Sequence, residues 1–386
     1  MTRAPIVVMG ALTRYPVAGI VWLTMQYVLG FRRLGYDCYY VECHGGTPRP
    51  FVTGGDDGTA GAVAFLASVM ARFDLSSRWA FQRTAGGPDC DGLTPHQLDR
   101  LFASAALIVN LHGATVPRPE HARTGRLIYI GTDPVLLELQ LHEGSQAAHD
   151  FLEPHAAVFT WAANHGAADC LLPVVNGFRF QPTRQPLLLD LWDGAAPAAD
   201  CFTTIAGWKQ LWREIRFQGE VYHWSKHYEF LKVLDLPSRS GASFELALTS
   251  IDSEDRALLE RHGWRVVDAD AVSRDLDTYR GYIARSRGEF TVAKDQNVRL
   301  RTGWFSDRSA TYLAAGRPVV TQDTGFGSTL PTGAGLFGFS TVDEAAAAVD
   351  AIATDYDRHA AAARAIAADC FDHAVVLPAL LRACGA

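Results

Sequence analysis

Short apolar runs alternate with longer amphipathic segments from the start of the chain. Ile6–Met9 is apolar and ends at Gly10, which predicts a buried strand of a parallel sheet. Ile20–Leu34 then carries apolar residues at helical spacing and stops before Gly35, a residue favoured just after a helix. Asp37–Val41 is predicted as a second strand, so this region predicts one right-handed βαβ unit.

The same alternation continues through the chain and predicts two α/β halves, because strands that alternate with helices favour parallel sheets covered on both faces. Helix-start signals place N-caps at Thr94 and Ser253 and a helix over Lys226–Asp235. The further predicted strands are Ala106–Asn110, Arg126–Ile130, Ala157–Trp161, Phe202–Ala206, Phe244–Leu248, Arg265–Val267, Gly288–Val292 and Pro318–Gln322.

A change in amino-acid composition between the halves predicts a domain boundary. Pro182, Pro186 and Pro197 fall within residues 181–200, as is typical of an interdomain linker. We therefore expect a first domain over residues 1–180 and a second over residues 201–365. We expect a final helix in residues 366–386 to cross back to the first domain.

Composition narrows the function classes. The 386 residues are 48% hydrophobic and 20% charged, which is typical of a folded protein. The net charge of −7 lacks the basic footprint of nucleic-acid binding and suits anionic membranes poorly. The seven cysteines form no C-x-x-C pair, and no apolar stretch reaches the roughly 20 residues of a membrane helix. We expect a cytoplasmic protein without a metal site, a signal peptide, or nucleic-acid or membrane partners.

Three segments that follow predicted strands of the first half could carry chemistry. The turn-rich stretch from Gly10 to Gly19 lies where parallel sheets bind ligands, although its spacing is not G-x-G-x-x-G. His112 follows a strong strand and could be a general base or a structural imidazole. Asp133 could be a base, could orient His112 or could cap the helix after Pro134, and capping is its favoured single role.

The second half supplies the anion-binding candidates. Lys226 opens a predicted helix, where a cation opposes the helix dipole unless an anion is bound or solvent screens it. The segment from Arg287 to Gly325 combines glycines, cations and a Ser/Asp helix start, which is typical of an anion site. Trp304 could stack on a base or pack in the core. The candidates in this segment are Glu289, Lys294, Gly303, Trp304, Phe305, Ser306, Asp307, Arg308 and Ser309.

Residues 304–320, with Ala315–Val320 and then Gly325, resemble the donor-site helix and strand of GT-B glycosyltransferases. Arg33–Tyr36 is similar to the end of the first helix in their N-terminal domain. The chain is most similar to bacterial glycosyltransferases of natural-product pathways. The resemblance implies two Rossmann-like domains that face a cleft, with a nucleotide sugar on the second domain and no metal or other cofactor.

The resemblance also implies roles for the candidates. Lys226 and the residues from Glu289 to Ser309 would bind the donor, whereas Thr13, Arg14 and Gly19 would lie on the acceptor side. Gly303 and Thr311 stand where many retaining relatives carry two glutamates, so Asp307 or Thr311 would have to hold the ribose. That difference weakens a retaining mechanism, and an inverting one would use His112 or Asp133 as base.

The predicted function is sugar transfer from a nucleotide-diphosphate donor to a hydroxyl of a small-molecule acceptor. A nucleotide-sugar epimerase of the same fold, an NAD-dependent dehydrogenase and a non-catalytic nucleotide or sugar binder are the alternatives. The missing glycine fingerprint disfavours the dehydrogenase. The residues predict no oligomeric state, and they identify neither the nucleotide base nor the sugar.

Overall fold

A computed structural model describes residues 3–193 and 199–385 of the chain. Pro197 of the predicted linker lies outside these ranges, as do Met1, Thr2 and Ala386. Within the described ranges, no helix combines the length and the apolar character that crossing a membrane requires.

The first half is built on an eight-stranded sheet in the order β4-β3-β2-β1-β5-β6-β7-β8. Neighbouring strands are parallel except β3 and β4, which pair antiparallel at one edge. Its strands are β1 (Arg3–Met9), β2 (Tyr36–Glu42), β3 (Trp79–Gln82), β4 (Cys90–Gly92), β5 (Leu107–Leu111), β6 (Leu127–Gly131), β7 (Ala157–Thr160) and β8 (Phe180–Pro182). Its helices are α1 (Ala18–Arg33), α2 (Thr59–Arg72), α3 (Pro95–Ser104), α4 (Pro119–Ala122), α5 (Leu136–His142) and α6 (Gln146–Leu152).

The second half carries a six-stranded parallel sheet in the order β13-β12-β9-β14-β15-β16 and a separate antiparallel hairpin, β10-β11. Its strands are β9 (Cys201–Gly207), β10 (Ile215–Phe217), β11 (Glu220–Tyr222), β12 (Ser243–Thr249), β13 (Arg265–Asp268), β14 (Gly288–Thr291), β15 (Val319–Gln322) and β16 (Leu336–Phe339). Its helices are α7 (His227–Leu231), α8 (Leu236–Arg239), α9 (Ser253–Arg261), α10 (Ala269–Ser273), α11 (Leu276–Arg285), α12 (Asp295–Arg299), α13 (Asp307–Ala314), α14 (Val342–Thr354), α15 (Tyr356–Phe371) and α16 (His373–Cys384).

Local signals account for some of the helix ends. The Thr94 hydroxyl accepts from the Gln97 backbone N–H in a capping box, as predicted. The predicted cap at Ser253 is wrong, because the Asp252 carboxylate one residue earlier accepts the Asp255 N–H. The predicted helix over Lys226–Asp235 is also too long. It ends at Leu231, and α8 begins at Leu236 with proline in its first turn, where no N–H is needed.

The last helix, α16, packs on α1 of the first half. A Cβ on Gly30 would lie 2.6 Å from the Leu377 side chain, so glycine allows the two helices to approach closely. The largest buried apolar cluster includes Trp22 of α1, Phe305 and Phe371, and therefore continues from one half into the other.

Candidate functional site

The carboxyl ends of strands from both sheets line a cleft with two adjoining cavities. The N-side cavity has a volume of about 770 Å³ and is formed mainly by the first half. The C-side cavity has a volume of about 440 Å³ and is formed mainly by the second half, including Gly207 and Thr249 at the ends of β9 and β12. Ile20, His112, Thr132 and Asp133 line both cavities, so these residues mark the junction.

His112 follows β5 directly and adopts a left-handed backbone conformation with φ of 61°. Its Nδ1 lies 2.6 Å from the Thr132 hydroxyl, whereas its buried Nε2 has no hydrogen-bond partner in the described structure. Burial lowers the pKa of His112 to about 4. The imidazole is therefore neutral near neutral pH, and one ring nitrogen is left for a ligand.

The loop after β6 is held from the second half at three consecutive residues. Trp304 Nε1 donates to the Thr132 carbonyl at 3.0 Å, and Gln296 Nε2 donates to the Pro134 carbonyl at 3.3 Å. Between them, Lys294 forms an ion pair with one oxygen of Asp133. The other oxygen, Oδ1, is buried and has no hydrogen-bond partner among the described residues.

Glu138 supports the same loop through a hydrogen bond with the backbone of Val135. Val135 is fully buried with φ of 104°, a conformation that a β-branched residue rarely adopts. Its N–H donates to Glu138 Oε2 at 2.8 Å, and Glu138 is only 3% exposed. Burial raises the pKa of Glu138 to about 7. This hydrogen bond compensates part of the cost of the strained backbone that presents Thr132 and Asp133.

Lys226 is the cation of the C-side cavity that is available for a ligand. It precedes α7 and is 9% exposed, and no hydrogen bond or ion pair joins its Nζ to another described residue. Burial lowers the pKa of Lys226, and the nearby Arg308 guanidinium lowers it further. A buried cation without a partner is costly, so the site favours binding of an anion.

Arg308 is fixed in the wall of the C-side cavity. It donates from Nε to Glu289 Oε1 at 2.5 Å, from one Nη to the Ile205 carbonyl at 2.5 Å and from the other to the Thr291 hydroxyl at 3.0 Å. Glu289 is fully buried, and its Oε2 has no hydrogen-bond partner in the part of the chain that the structure describes. Three bonds therefore orient the guanidinium before any ligand arrives.

The remaining donor-side candidates separate into cavity residues and interior residues. Trp304, Ser306 and Asp307 line the C-side cavity, and burial raises the pKa of Asp307. Phe305 instead stacks on Phe371 at 5.6 Å in the core, and Ser309 is fully buried in α13. Neither side chain lines the N-side or the C-side cavity.

Gly303 has a packing role at the boundary between the halves. A Cβ there would lie 2.5 Å from the Asn164 backbone nitrogen, and φ is 75°. Thr311 donates its hydroxyl to the Arg308 carbonyl and does not line the C-side cavity. Of the two predicted ribose partners, only Asp307 therefore faces this cavity.

The acceptor-side candidates also separate. Arg14 lines the N-side cavity and Gly19 lines the C-side cavity. Thr13 is fully buried, and its hydroxyl and backbone N–H both donate to Glu42. It therefore anchors the loop after β1 in the interior of the first half.

Sequence reasoning missed Glu138, Gln296 and Trp224. Trp224 lines the N-side cavity, with the Lys294 Nζ 3.3 Å from its ring centroid. Its position two residues before Lys226 was a usable signal. Glu138 and Gln296 gave none, because their roles depend on contacts with a distant loop.

One surface group among the described residues could hold a metal ion. His149, Asp150 and Glu153 can place ligand atoms within 4.8 Å of one another, but all three are exposed. None lines either cavity. Exposed acidic clusters of this kind are common on protein surfaces without a bound ion.

No protein-family model and no curated protein matches the chain. Solved structures do. HepE from Anabaena, in complex with UDP, is 14% identical over 99% of both chains with a TM-score of 0.59. An α-glucosyltransferase in complex with UDP is 10% identical over 100% of both chains with a TM-score of 0.57. AviGT4, a glycosyltransferase involved in avilamycin A biosynthesis, is 12% identical over 99% of this chain and 97% of that chain, with a TM-score of 0.55.

These similarities extend over the whole chain and concern the fold. The α/β fold with two Rossmann-like domains facing a cleft, predicted as GT-B, is confirmed. At such low identity the comparison does not transfer individual residues, so the roles of the cleft residues rest on their geometry.

Proposed function

We propose that the protein is a glycosyltransferase that moves a sugar from a nucleotide-diphosphate donor to a hydroxyl of a small-molecule acceptor. The observation that carries the proposal is the buried, unpaired Lys226 in the C-side cavity. Similar structures contain UDP, which makes uracil the first nucleotide base to test. In this proposal residues 1–180 bind the acceptor and residues 201–365 bind the donor. Residues 181–200 link them, and residues 366–386 return to the first domain.

The C-side cavity suits a departing nucleoside diphosphate. Negative charge grows on the leaving phosphate in the transition state, so cations held in place beforehand lower the barrier. Lys226 supplies an amino group that pairs with no other described residue, and Arg308 supplies a guanidinium that three hydrogen bonds already hold. The N-terminus of α13, which begins at Asp307, adds backbone N–H groups beside Ser306.

The junction residues suit activation of the acceptor hydroxyl. His112 Nε2 is the proposed base, because it is unpartnered and neutral while Nδ1 is held by Thr132. Asp133 lines the same junction, where it is paired with Lys294. This assignment belongs to an inverting reaction, in which the hydroxyl attacks as the diphosphate leaves.

The N-side cavity favours a transferase over an epimerase. An epimerase converts the sugar of its bound nucleotide and needs no second binding site. Here a cavity of about 770 Å³ adjoins His112 and the C-side cavity, which provides room for an acceptor. AviGT4 acts in avilamycin A biosynthesis, which supports extending the proposal to natural-product acceptors.

A thermal-shift panel of UDP, GDP, dTDP, CMP and NAD tests the donor part of the proposal. A ligand that binds the native state raises its melting temperature by mass action. We expect one nucleoside diphosphate, with UDP first, to stabilise the protein and NAD to have no effect. A shift with NAD alone, or with none of the five, would contradict the proposal.

A further inference from the structure

We propose that the N-side cavity binds a hydroxylated aromatic acceptor, and not a carbohydrate or a nucleic acid. The inference rests on the proposed function, since it names the acceptor class for that reaction. Binding to the cavity can nevertheless be measured without a donor, so the two proposals fail separately.

The inner wall of the N-side cavity is built from aromatic rings. Tyr129 on β6 and Phe151 on α6 pack edge to face, with ring centroids 5.7 Å apart and planes at 88°. Both line the cavity, with Leu137 of α5 beside them. Such a wall offers ring faces and edges to a planar ligand, and aromatic contacts of this kind stabilise a complex beyond the effect of the buried area.

The entrance of the cavity exposes large apolar side chains. Tyr15 is 49% exposed and Leu136 is 46% exposed, and both line this cavity. Ile20, at the junction with the C-side cavity, is also accessible. Exposed apolar side chains that converge on a concave surface are typical of a ligand site, because binding removes them from water.

The second half supplies the facing wall through the β10–β11 hairpin. Ile215 at the start of β10 and Trp224 after β11 line the cavity. The hairpin packs on the first half through a cluster that includes Phe217, Tyr222 and Leu139. The cavity is therefore completed by both halves, and its aromatic wall is present when they are together.

Two cations hold the Trp224 ring. Lys294 Nζ lies 3.3 Å from the ring centroid and Arg213 Cζ lies 4.6 Å from it. Cation–π contacts of this kind restrain the indole. Lys294 also pairs with Asp133, so the ring is connected to the junction where the acceptor hydroxyl must be placed.

Much of the wall offers no hydrogen bond to a polyhydroxylated acceptor, because Ile20, Leu136, Leu137, Phe151 and Ile215 have no polar side-chain atom. Away from the junction, the polar side-chain atoms of the wall come from Arg14, Tyr15, Tyr129, Gln140, Arg213, Glu214 and Trp224. Every sugar hydroxyl that loses water needs a replacement hydrogen bond, and each DNA phosphate needs a nearby cation. An aromatic ring with one or two hydroxyl groups matches this wall with fewer unsatisfied groups.

The α-glucosyltransferase provides the contrast. One of its structures contains UDP and a DNA 13-mer with a modified base. The present chain carries a net charge of −7, which opposes binding of a nucleic acid. The fold therefore accommodates DNA acceptors in another protein, while the charge and cavity lining of this chain favour an aromatic molecule.

Direct binding of three probes tests the proposal in the absence of donor. The probes are 7-hydroxycoumarin, maltose and a DNA duplex containing hydroxymethyluracil, measured by calorimetry with wild-type protein. We then compare Leu136→Asp with the control Val116→Asp, since Val116 is 73% exposed and lines neither cavity. Aspartate at the first position of α5 suits the helix dipole, so Leu136→Asp is expected to fold.

We expect wild-type protein to bind the hydroxycoumarin and neither other probe, and Leu136→Asp to weaken that binding by about tenfold or more. Val116→Asp should bind as wild type, and both variants should keep their UDP affinity. Failure of the wild-type protein to bind the hydroxycoumarin would overturn the proposal, as would binding of maltose or DNA or full affinity in Leu136→Asp. Absence of UDP binding to the wild-type protein would instead refute the proposed transferase.

Discussion

The two cavities of the cleft lie side by side but offer different chemistry to a ligand. The C-side cavity carries Lys226, Lys294 and Arg308, and two of these cations are already paired with carboxylates. The N-side cavity presents rings, including Tyr15 and Trp224, to a larger space. Charge therefore selects the ligand on one side and apolar contact selects it on the other.

The two cavities also differ in how they are assembled. Arg308 and Glu289, which shape the C-side cavity, belong to one sheet and its adjoining helix. The N-side cavity needs the β10–β11 hairpin of the second half to meet the first half. We therefore expect the donor side to be organised within one half, whereas the acceptor side depends on contact between both halves. Variants at His112, Glu138 and Lys226 test this difference between the two cavities.

The largest effect is expected at the shared junction. His112→Asn removes the proposed base, and asparagine tolerates the left-handed backbone at this position. We expect turnover to fall by about 10²- to 10⁴-fold, while affinity for UDP stays within about threefold of wild type. Steady-state kinetics and calorimetry measure the two quantities, with the exposed His96→Asn as control. Unchanged turnover would exclude His112 as the base.

The same variant has a smaller, pH-dependent effect on stability. Native His112 has its pKa lowered from 6.5 to about 4, so between these values the unfolded chain binds a proton that the native protein does not. Stability from this group is therefore gained as pH rises from about 4 to 6.5 and lost on acidification. Since the ring is only half-buried, we expect roughly 1–2 kcal/mol.

Urea denaturation of wild type and His112→Asn across this pH range checks the assignment. The variant should lose less stability on acidification, by the amount that His112 contributes. Parallel curves for the two proteins would show that His112 does not carry the predicted linkage.

The smallest effect is expected from the support beneath the junction. Glu138→Ala removes the acceptor of the Val135 N–H and should lower turnover by about tenfold, with UDP affinity unchanged. Glu138→Gln keeps an oxygen that can accept this hydrogen bond and should restore most of the turnover. Glu143→Ala, at an exposed position after α5, is the control. Equal losses in the alanine and glutamine variants would contradict a positioning role.

Local sequence signals were sufficient for the central strands of both sheets, whereas β3, β4, β8 and β16 towards the sheet edges were not predicted. β1 contains the predicted strand Ile6–Met9, and β5 lies within one residue of Ala106–Asn110. These runs are apolar and end at turn residues, so residues within and next to each run indicate both its burial and its ends. The β10–β11 hairpin was not predicted, because its strands are three residues each and depend on packing against the first half.

The candidate residues could be predicted only from signals beside them in the sequence. His112 and Asp133 were predicted from their positions after strands, since parallel strands bring their carboxyl ends to one edge, and Lys226 was predicted from its position at the start of a helix. The ion pair of Asp133 with Lys294 joins residues from different halves, and nothing near either residue encodes it. Phe305 lies between the cavity residues Trp304 and Ser306 in the sequence, yet its side chain packs in the core, so its predicted donor contact could not be judged from its neighbours.

Calorimetric titration of UDP into wild type, Lys226→Met and Lys232→Met tests most directly whether the C-side cavity binds the donor. Lys232, just beyond α7, is the control for loss of a lysine charge, since its 57% exposed side chain pairs with Glu229 and lines neither cavity. We expect wild type and Lys232→Met to bind one UDP with similar affinity, and Lys226→Met to bind at least about thirtyfold more weakly. Equal affinity in all three proteins, or no binding to wild type, would contradict the account.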